Sequence, residues 1–178
     1  MTTTAVRTQK QLADLAARAA VELEDATAEE LIGWAVETFG SRFCVTSSFA
    51  DAVLAHVASR VAPGVDIVFL DTGLHYGETL QVRDEVRRTL PVTVVSVQPR
   101  ITVGQQDGLY GPRLFARDPD ECCAIRKVEP LERALAGYDA WAAGLRRDEG
   151  QTRANTAVVA YEPSRGKVKP EAPARSAW

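Results

Sequence analysis

Pro63-Gly64-Val65-Asp66-Ile67-Val68-Phe69-Leu70-Asp71-Thr72-Gly73 is the stretch that decides the fold. The Pro-Gly pair turns the chain, and residues 66–70 then run almost without a polar break, the pattern of a strand covered on both faces. Upstream, residues 42–46 have the same short apolar character, and residues 92–97 repeat it with β-branched side chains. Helical spacing fills the gaps between them. Residues 51–61 set Val53, Leu54, Val57 and Val61 on one side, and residues 77–90 make another helix. Strands that alternate with helices imply βαβ units, so the expected fold is α/β with a mostly parallel sheet flanked by helices.

Working outward, residues 9–25 place Leu12, Leu15, Ala16, Ala19 and Leu23 at helical intervals. Thr27-Ala28-Glu29-Glu30 is a capping box that opens a second helix carrying Leu31, Trp34, Ala35 and Phe39, with Gly40 as its stop. In the other direction, residues 100–115 hold three Gly and one Pro and read as a loop. Pro130 is expected to start a helix that Gly137 ends, and residues 138–145 and 156–161 to form a fourth and a fifth strand. The organisation expected is N-terminal helices over 1–40, a nucleotide-binding α/β domain over 41–161, and an irregular, disordered tail over 162–178.

Composition narrows the function classes. A net charge of −3 over 178 residues argues against broad nucleic-acid binding. No apolar run is long enough to span a bilayer, and the Thr-rich start lacks a hydrophobic signal core. Three Cys, two of them adjacent, make no disulfide framework, so a reducing cytoplasm is the expected setting.

Four segments carry candidate chemistry. In Asp118-Pro119-Asp120-Glu121-Cys122-Cys123-Ala124-Ile125-Arg126-Lys127, Asp118 can cap a helix with Pro119 in its first position. Thiols near that N-terminus, with two cations behind them, have reason to ionise and to bind a soft metal. Two ordinary surface cysteines are the plainer alternative. Thr46-Ser47-Ser48-Phe49-Ala50-Asp51 follows the first strand, where an α/β sheet binds ligands; it reads either as a phosphate seat or as a simple helix cap. Leu70-Asp71-Thr72-Gly73-Leu74-His75 follows the second strand and suits ribose or adenine, with His75 more naturally a structural hydrogen-bonder. Gly144-Leu145-Arg146-Arg147, with Thr152-Arg153 close behind, offers guanidiniums for an anion or merely a solvated face. Cys44, Trp34 and Trp141 read as packing residues.

Taken in order, Ser47-Ser48-Phe49, Phe69-Leu70-Asp71-Thr72-Gly73, Glu121-Cys122-Cys123 with Arg126-Lys127, and Gly144-Leu145-Arg146-Arg147 with Thr152-Arg153 resemble the assimilatory adenylyl-sulfate reductases. These form part of the phosphoadenylyl-sulfate reductase family, with an adenine-nucleotide α-hydrolase-like fold. The resemblance runs from about residue 41 to 169 and implies thioredoxin-dependent reduction of adenylyl sulfate to sulfite and AMP, in sulfate assimilation toward cysteine. It implies a [4Fe-4S] cluster with Cys122 and Cys123 as ligands. Ser47 and Ser48 would hold the nucleotide phosphate, and Asp71, Thr72 and Gly73 the adenosine. Lys127, Arg146, Arg147 and Arg153 would offset the sulfonate and phosphate charge. The expected partners are adenylyl sulfate or AMP and thioredoxin, with no nucleic acid and no membrane; a homo-oligomer stays open. The family's downstream Cys-x-x-Cys and its C-terminal Glu-Cys-Gly-Leu-His nucleophile segment do not occur in these residues. The expectation is therefore a C-terminally truncated chain with no catalytic nucleophile, two of four cluster ligands, and no activity by itself. A catalytically dead adenine-nucleotide-binding module is the alternative. An ATP pyrophosphatase-type adenylating enzyme fits less well, because residues 47–52 lack the glycines of a pyrophosphate loop.

Overall fold

A computed structural model describes residues 7–144 and 156–171. Two N-terminal helices, α1 (Gln9–Glu22) and α2 (Ala28–Phe39), both open with capping boxes. Thr8 pairs with Gln11, and Thr27 with Glu30. There follow β1 (Phe43–Thr46), α3 (Val53–Val61), β2 (Asp66–Leu70), α4 (Gly77–Thr89) and β3 (Thr93–Val97). The chain continues through α5 (Val103–Tyr110), α6 (Leu114–Arg117), α7 (Pro119–Cys123), a π-helical turn (Ala124–Val128) and α8 (Glu129–Leu135). It closes with β4 (Ala140–Ala143), β5 (Val159–Glu162) and β6 (Lys167–Pro170).

The six strands form one sheet in the order β3-β2-β1-β4-β6-β5. All neighbours are parallel except the β5–β6 pair. Alternation along each strand sorts the core onto two faces. Phe43, Val45, Ile67, Phe69, Ala140 and Ala142 join apolar side chains of α1 to α4. Cys44, Val68 and Trp141 point the other way, toward Leu131 and Leu135 of α8. Both faces are thus covered, which explains why residues 66–70 read as a continuous apolar run.

Two segments that the sequence reads as irregular are not. Residues 100–115 contain helix α5, which Thr102 caps by a reciprocal bond with Gln105; the glycines at 104 and 108 hid it. Nor are residues 162–178 irregular throughout. Residues 163–166 turn the chain, with Gly166 at φ +64°, and β6 then enters the sheet between β4 and β5 with Val168 fully buried. The prolines misled because Pro170 ends this four-residue strand rather than interrupting it.

Candidate active site

In strand order the chain moves outward from β1 through β2 to β3, then returns to the opposite side of β1 for β4. β1 and β4 therefore flank the switch point, beyond whose carboxyl ends an α/β sheet opens a crevice. Thr46 and Ala143 are register partners there, and the Thr46 hydroxyl donates to the Ala142 carbonyl at 3.1 Å.

The β1 loop is held by its own side chains. Ser47 Oγ accepts from the Phe49 amide at 3.1 Å, which leaves its hydroxyl proton free to donate outward. Phe49 takes a left-handed φ of 51° and buries its ring against Phe69, with centroids 5.3 Å apart. That strained residue turns Ser48 out to solvent. Asp51 Oδ1 accepts from the Val53 amide at 3.0 Å, at the entry to α3.

The β2 loop is braced more heavily. Asp71 accepts from the Gly73 amide at 3.3 Å and from Gln98 at 3.2 Å, with Arg83 3.6 Å away. Its carboxylate therefore organises the loop. Thr72 is buried, and its Oγ1 accepts from the Leu74 amide at 3.2 Å. Gly73 lies exposed at φ +72°, where a side chain would meet Val103 at 3.3 Å. His75 stacks on Phe69 with centroids 4.8 Å apart, and its Nε2 lies 2.8 Å from the Leu70 carbonyl. A carbonyl only accepts, so Nε2 carries the proton, and His75 is the structural hydrogen-bonder its sequence context suggested.

The cysteine pair sits on one continuous helical run over residues 119–135. Asp118 caps it as expected, its Oδ1 accepting from the Glu121 amide at 3.0 Å. Pro130 does not begin a separate helix. It lacks the amide that would donate to the Arg126 carbonyl, and the run takes up the lost bond by widening into the π turn. Side chains four apart share a face. Cys122 and Arg126 are buried together, whereas Cys123 and Lys127 are both exposed.

Arg126 is a residue that sequence reasoning valued only for its charge. Its side chain does not lie beside the thiols as a solvent-facing cation. It runs inward, where Nε donates to Gln106 at 2.8 Å and Nη1 to the Thr72 carbonyl at 3.0 Å and the Ile101 carbonyl at 3.4 Å. The Cys-Cys helix is thereby tied to the β2 loop. Of the Arg segment, only Gly144 is described; a side chain there would stand 3.4 Å from Leu54, in the first turn of α3. Arg146, Arg147 and Arg153 lie outside the described residues.

The fit of an iron–sulfur cluster can be judged from the donors. Adjacent thiols are chemically suitable, yet a four-iron cluster takes four. Among the described residues no group of three or more His, Cys, Asp or Glu comes together. Cys44 is no candidate third ligand. It is fully buried in β1 on the α8 side, and burial, aided by the charge of Asp66, pushes its thiol from 9.0 up to about 12. The described residues thus bring together at most two of the four thiols that such a cluster takes.

Fold and loops together define an open α/β protein of the switch-point type, with a cysteine-bearing helix tied to its β2 loop. Residues 42–170 match the model of the phosphoadenosine phosphosulfate reductase domain. The chain belongs to the phosphoadenosine phosphosulfate reductase family. It is 63% identical over 163 residues to the adenosine 5'-phosphosulfate reductase of Streptomyces coelicolor, covering 92% of this chain and 69% of that one. Identity to the enzyme of the same name from Mycolicibacterium smegmatis is 50% over 169 residues, 95% of this chain and 72% of that one. In fold it resembles the phosphoadenylyl-sulfate reductase of Candida auris, solved as a phosphate complex, with a TM-score of 0.72 at 23% identity, over 95% of this chain and 81% of that one.

Proposed function

We propose that the chain is the nucleotide-binding and cysteine-pair part of an adenylyl-sulfate reductase, which converts adenylyl sulfate to sulfite and AMP with electrons from thioredoxin. One observation carries the reading: at the carboxyl edge of one mostly parallel sheet, the β2 loop is bonded to a helix that exposes Cys123 and Lys127, and the β1 loop lies against the neighbouring strand β2. Relatives 63% and 50% identical to this chain bear the matching name.

The reaction is a two-electron reduction at sulfur. A thiolate attacks the sulfur of adenylyl sulfate, the bond from sulfur to the phosphate oxygen breaks, and AMP leaves with the electron pair. The enzyme thiosulfonate that results is cleaved by the thioredoxin dithiol, which becomes a disulfide as sulfite departs. This chain's residues serve the anions. Ser47 and Ser48 direct hydroxyls and loop amides at the nucleotide phosphate. Asp71 and Thr72 shape the loop that presents Gly73 to the adenosine. Lys127, with Arg146, Arg147 and Arg153, offsets the charge that grows on AMP as it leaves. Cys122 and Cys123 would hold two of the four positions of a [4Fe-4S] cluster, the others coming from outside the described residues. Cys44, with its thiol at about 12, does not serve as the nucleophile.

Calorimetric titration of the 178-residue polypeptide with AMP and with adenylyl sulfate, beside a thioredoxin-coupled sulfite assay and iron and sulfide analysis after anaerobic reconstitution, tests the reading. Both nucleotides are expected to bind, without stoichiometric cluster or sulfite release. Failure of both to bind removes the reading. Stoichiometric cluster with turnover would show that these residues are sufficient alone.

A further inference from the structure

Arg126 is 2% exposed, and among the described residues no carboxylate pairs with it. Its Nη2 is buried with no hydrogen-bond partner there. A buried guanidinium without a counter-charge is costly to desolvate, and a long apolar side chain would fill the same space without that penalty. What an apolar side chain lacks is the planar fork of donors. That fork engages three acceptors on two segments: Thr72 in the β2 loop, and Ile101 and Gln106 at the start of α5. Gln106 is itself 1% exposed, so the contact is sealed from water. Gly73 lies so close that a side chain there would stand 3.7 Å from Arg126 Nη1.

We infer that Arg126 is a positioning residue, a clamp that sets the register between the cysteine-pair helix and the nucleotide-facing β2 loop. The four-residue spacing makes the clamp act on both ends of the site. With Arg126 fixed inward, Cys123 and Lys127 are held outward, while Thr72 and Gly73 are held against the same helix. For its effect on nucleotide affinity the inference rests on the reductase reading above; for its effect on loop order it does not.

The test compares the 178-residue protein with R126K, which keeps the charge but offers one compact ammonium, and R126M, which keeps the bulk alone. AMP affinity is measured by calorimetry. Hydrogen–deuterium exchange is followed in peptides over 71–76, 98–106 and the strands. Both variants are expected to lose about tenfold in AMP affinity and to exchange faster at 71–76 and 98–106, with strand protection unchanged. A merely structural arginine would lower the melting temperature and leave affinity and loop exchange alone in folded R126K, and that result overturns the inference. Faster loop exchange with unaltered affinity would overturn its role toward the nucleotide. If the parent protein binds no AMP, the reductase reading falls and the exchange data alone decide the clamp. Should R126M fail to fold, Q106M, which removes only the Nε acceptor, replaces it on the same readouts.

Discussion

Cys44 shows how one side chain can set a pH dependence for the whole molecule. Its thiol is sealed between β2 and β4 neighbours, and burial with the nearby Asp66 charge raises it from 9.0 to about 12. An unfolded chain ionises this thiol above pH 9, whereas the folded chain keeps it protonated until about 12. The folded state therefore holds more protons in that window, and stability must fall as pH rises through it. By pH 10, one unit past the ordinary thiol value, the loss is about 1.4 kcal/mol. Tyr138, raised by burial and by its 2.7 Å bond to Asp66, acts in the same sense. Lys167, lowered by burial, acts in the opposite one. Urea unfolding at pH 8 and pH 10 should show the decline, and Cys44→Ala should flatten it. An equal slope in the variant would remove Cys44 as its source. The same burial should leave Cys44 unmodified by iodoacetamide in the native protein while the exposed Cys123 reacts.

The helical run from Pro119 to Leu135 joins a strong start to a defect, and each has its own residue. Asp118→Ala removes the side-chain acceptor for the Glu121 amide and should cost about 1 kcal/mol. Because the lost cap lies one turn before Cys122, the thermal midpoint should drop together with amide protection over 119–123. A drop with protection there unchanged would place the cost elsewhere. This start was legible in the sequence, as were β1, β2, β3 and the capping box at Thr27, because a cap or an apolar run is a local property of a few neighbouring residues. The π turn was not, since its cause, the missing Pro130 amide, also marks an ordinary helix start. Helix α5 did carry a local signal, the Thr102–Gln105 pair, but its two glycines, with Gly111 and Pro112 just beyond it, outweighed it. At the candidate site, the placement of Ser47, Ser48, Asp71, Thr72 and Gly73 on strand-end loops was legible, because each follows directly on an apolar run. The inward path of Arg126 and the left-handed Phe49 depend on partners distant in sequence, and no local pattern marks either.

At the level of the molecule, the sheet is closed on one side by a hairpin that crosses the order of the chain. β6 lies between β4 and β5, so the C-terminal described strand is an interior strand of the sheet. The Val168 amide donates to the Asp139 carbonyl at 3.0 Å, and the Asp139 amide donates to the Arg42 carbonyl at 2.8 Å. Asp139 also takes a two-pronged bond from Arg42, 2.6 Å on each arm, which joins the starts of β1 and β4. Helix α1 rests on β5 and β6, with Leu12, Ala16 and Ala19 in the same core cluster as Val158, Val159 and Val168. The first and last described elements therefore depend on each other, and the N-terminal helices have no core apart from the sheet. Val168→Asp places a carboxylate at a site with no accessible surface, and should destabilise the fold by several kcal/mol. It should do so globally: urea unfolding by far-ultraviolet circular dichroism and by tryptophan fluorescence should shift together, since Trp34 lies in α2 and Trp141 in β4. If β6 were instead a dispensable appendage, the variant would keep its parent's midpoint, and the interior placement of this strand would be wrong.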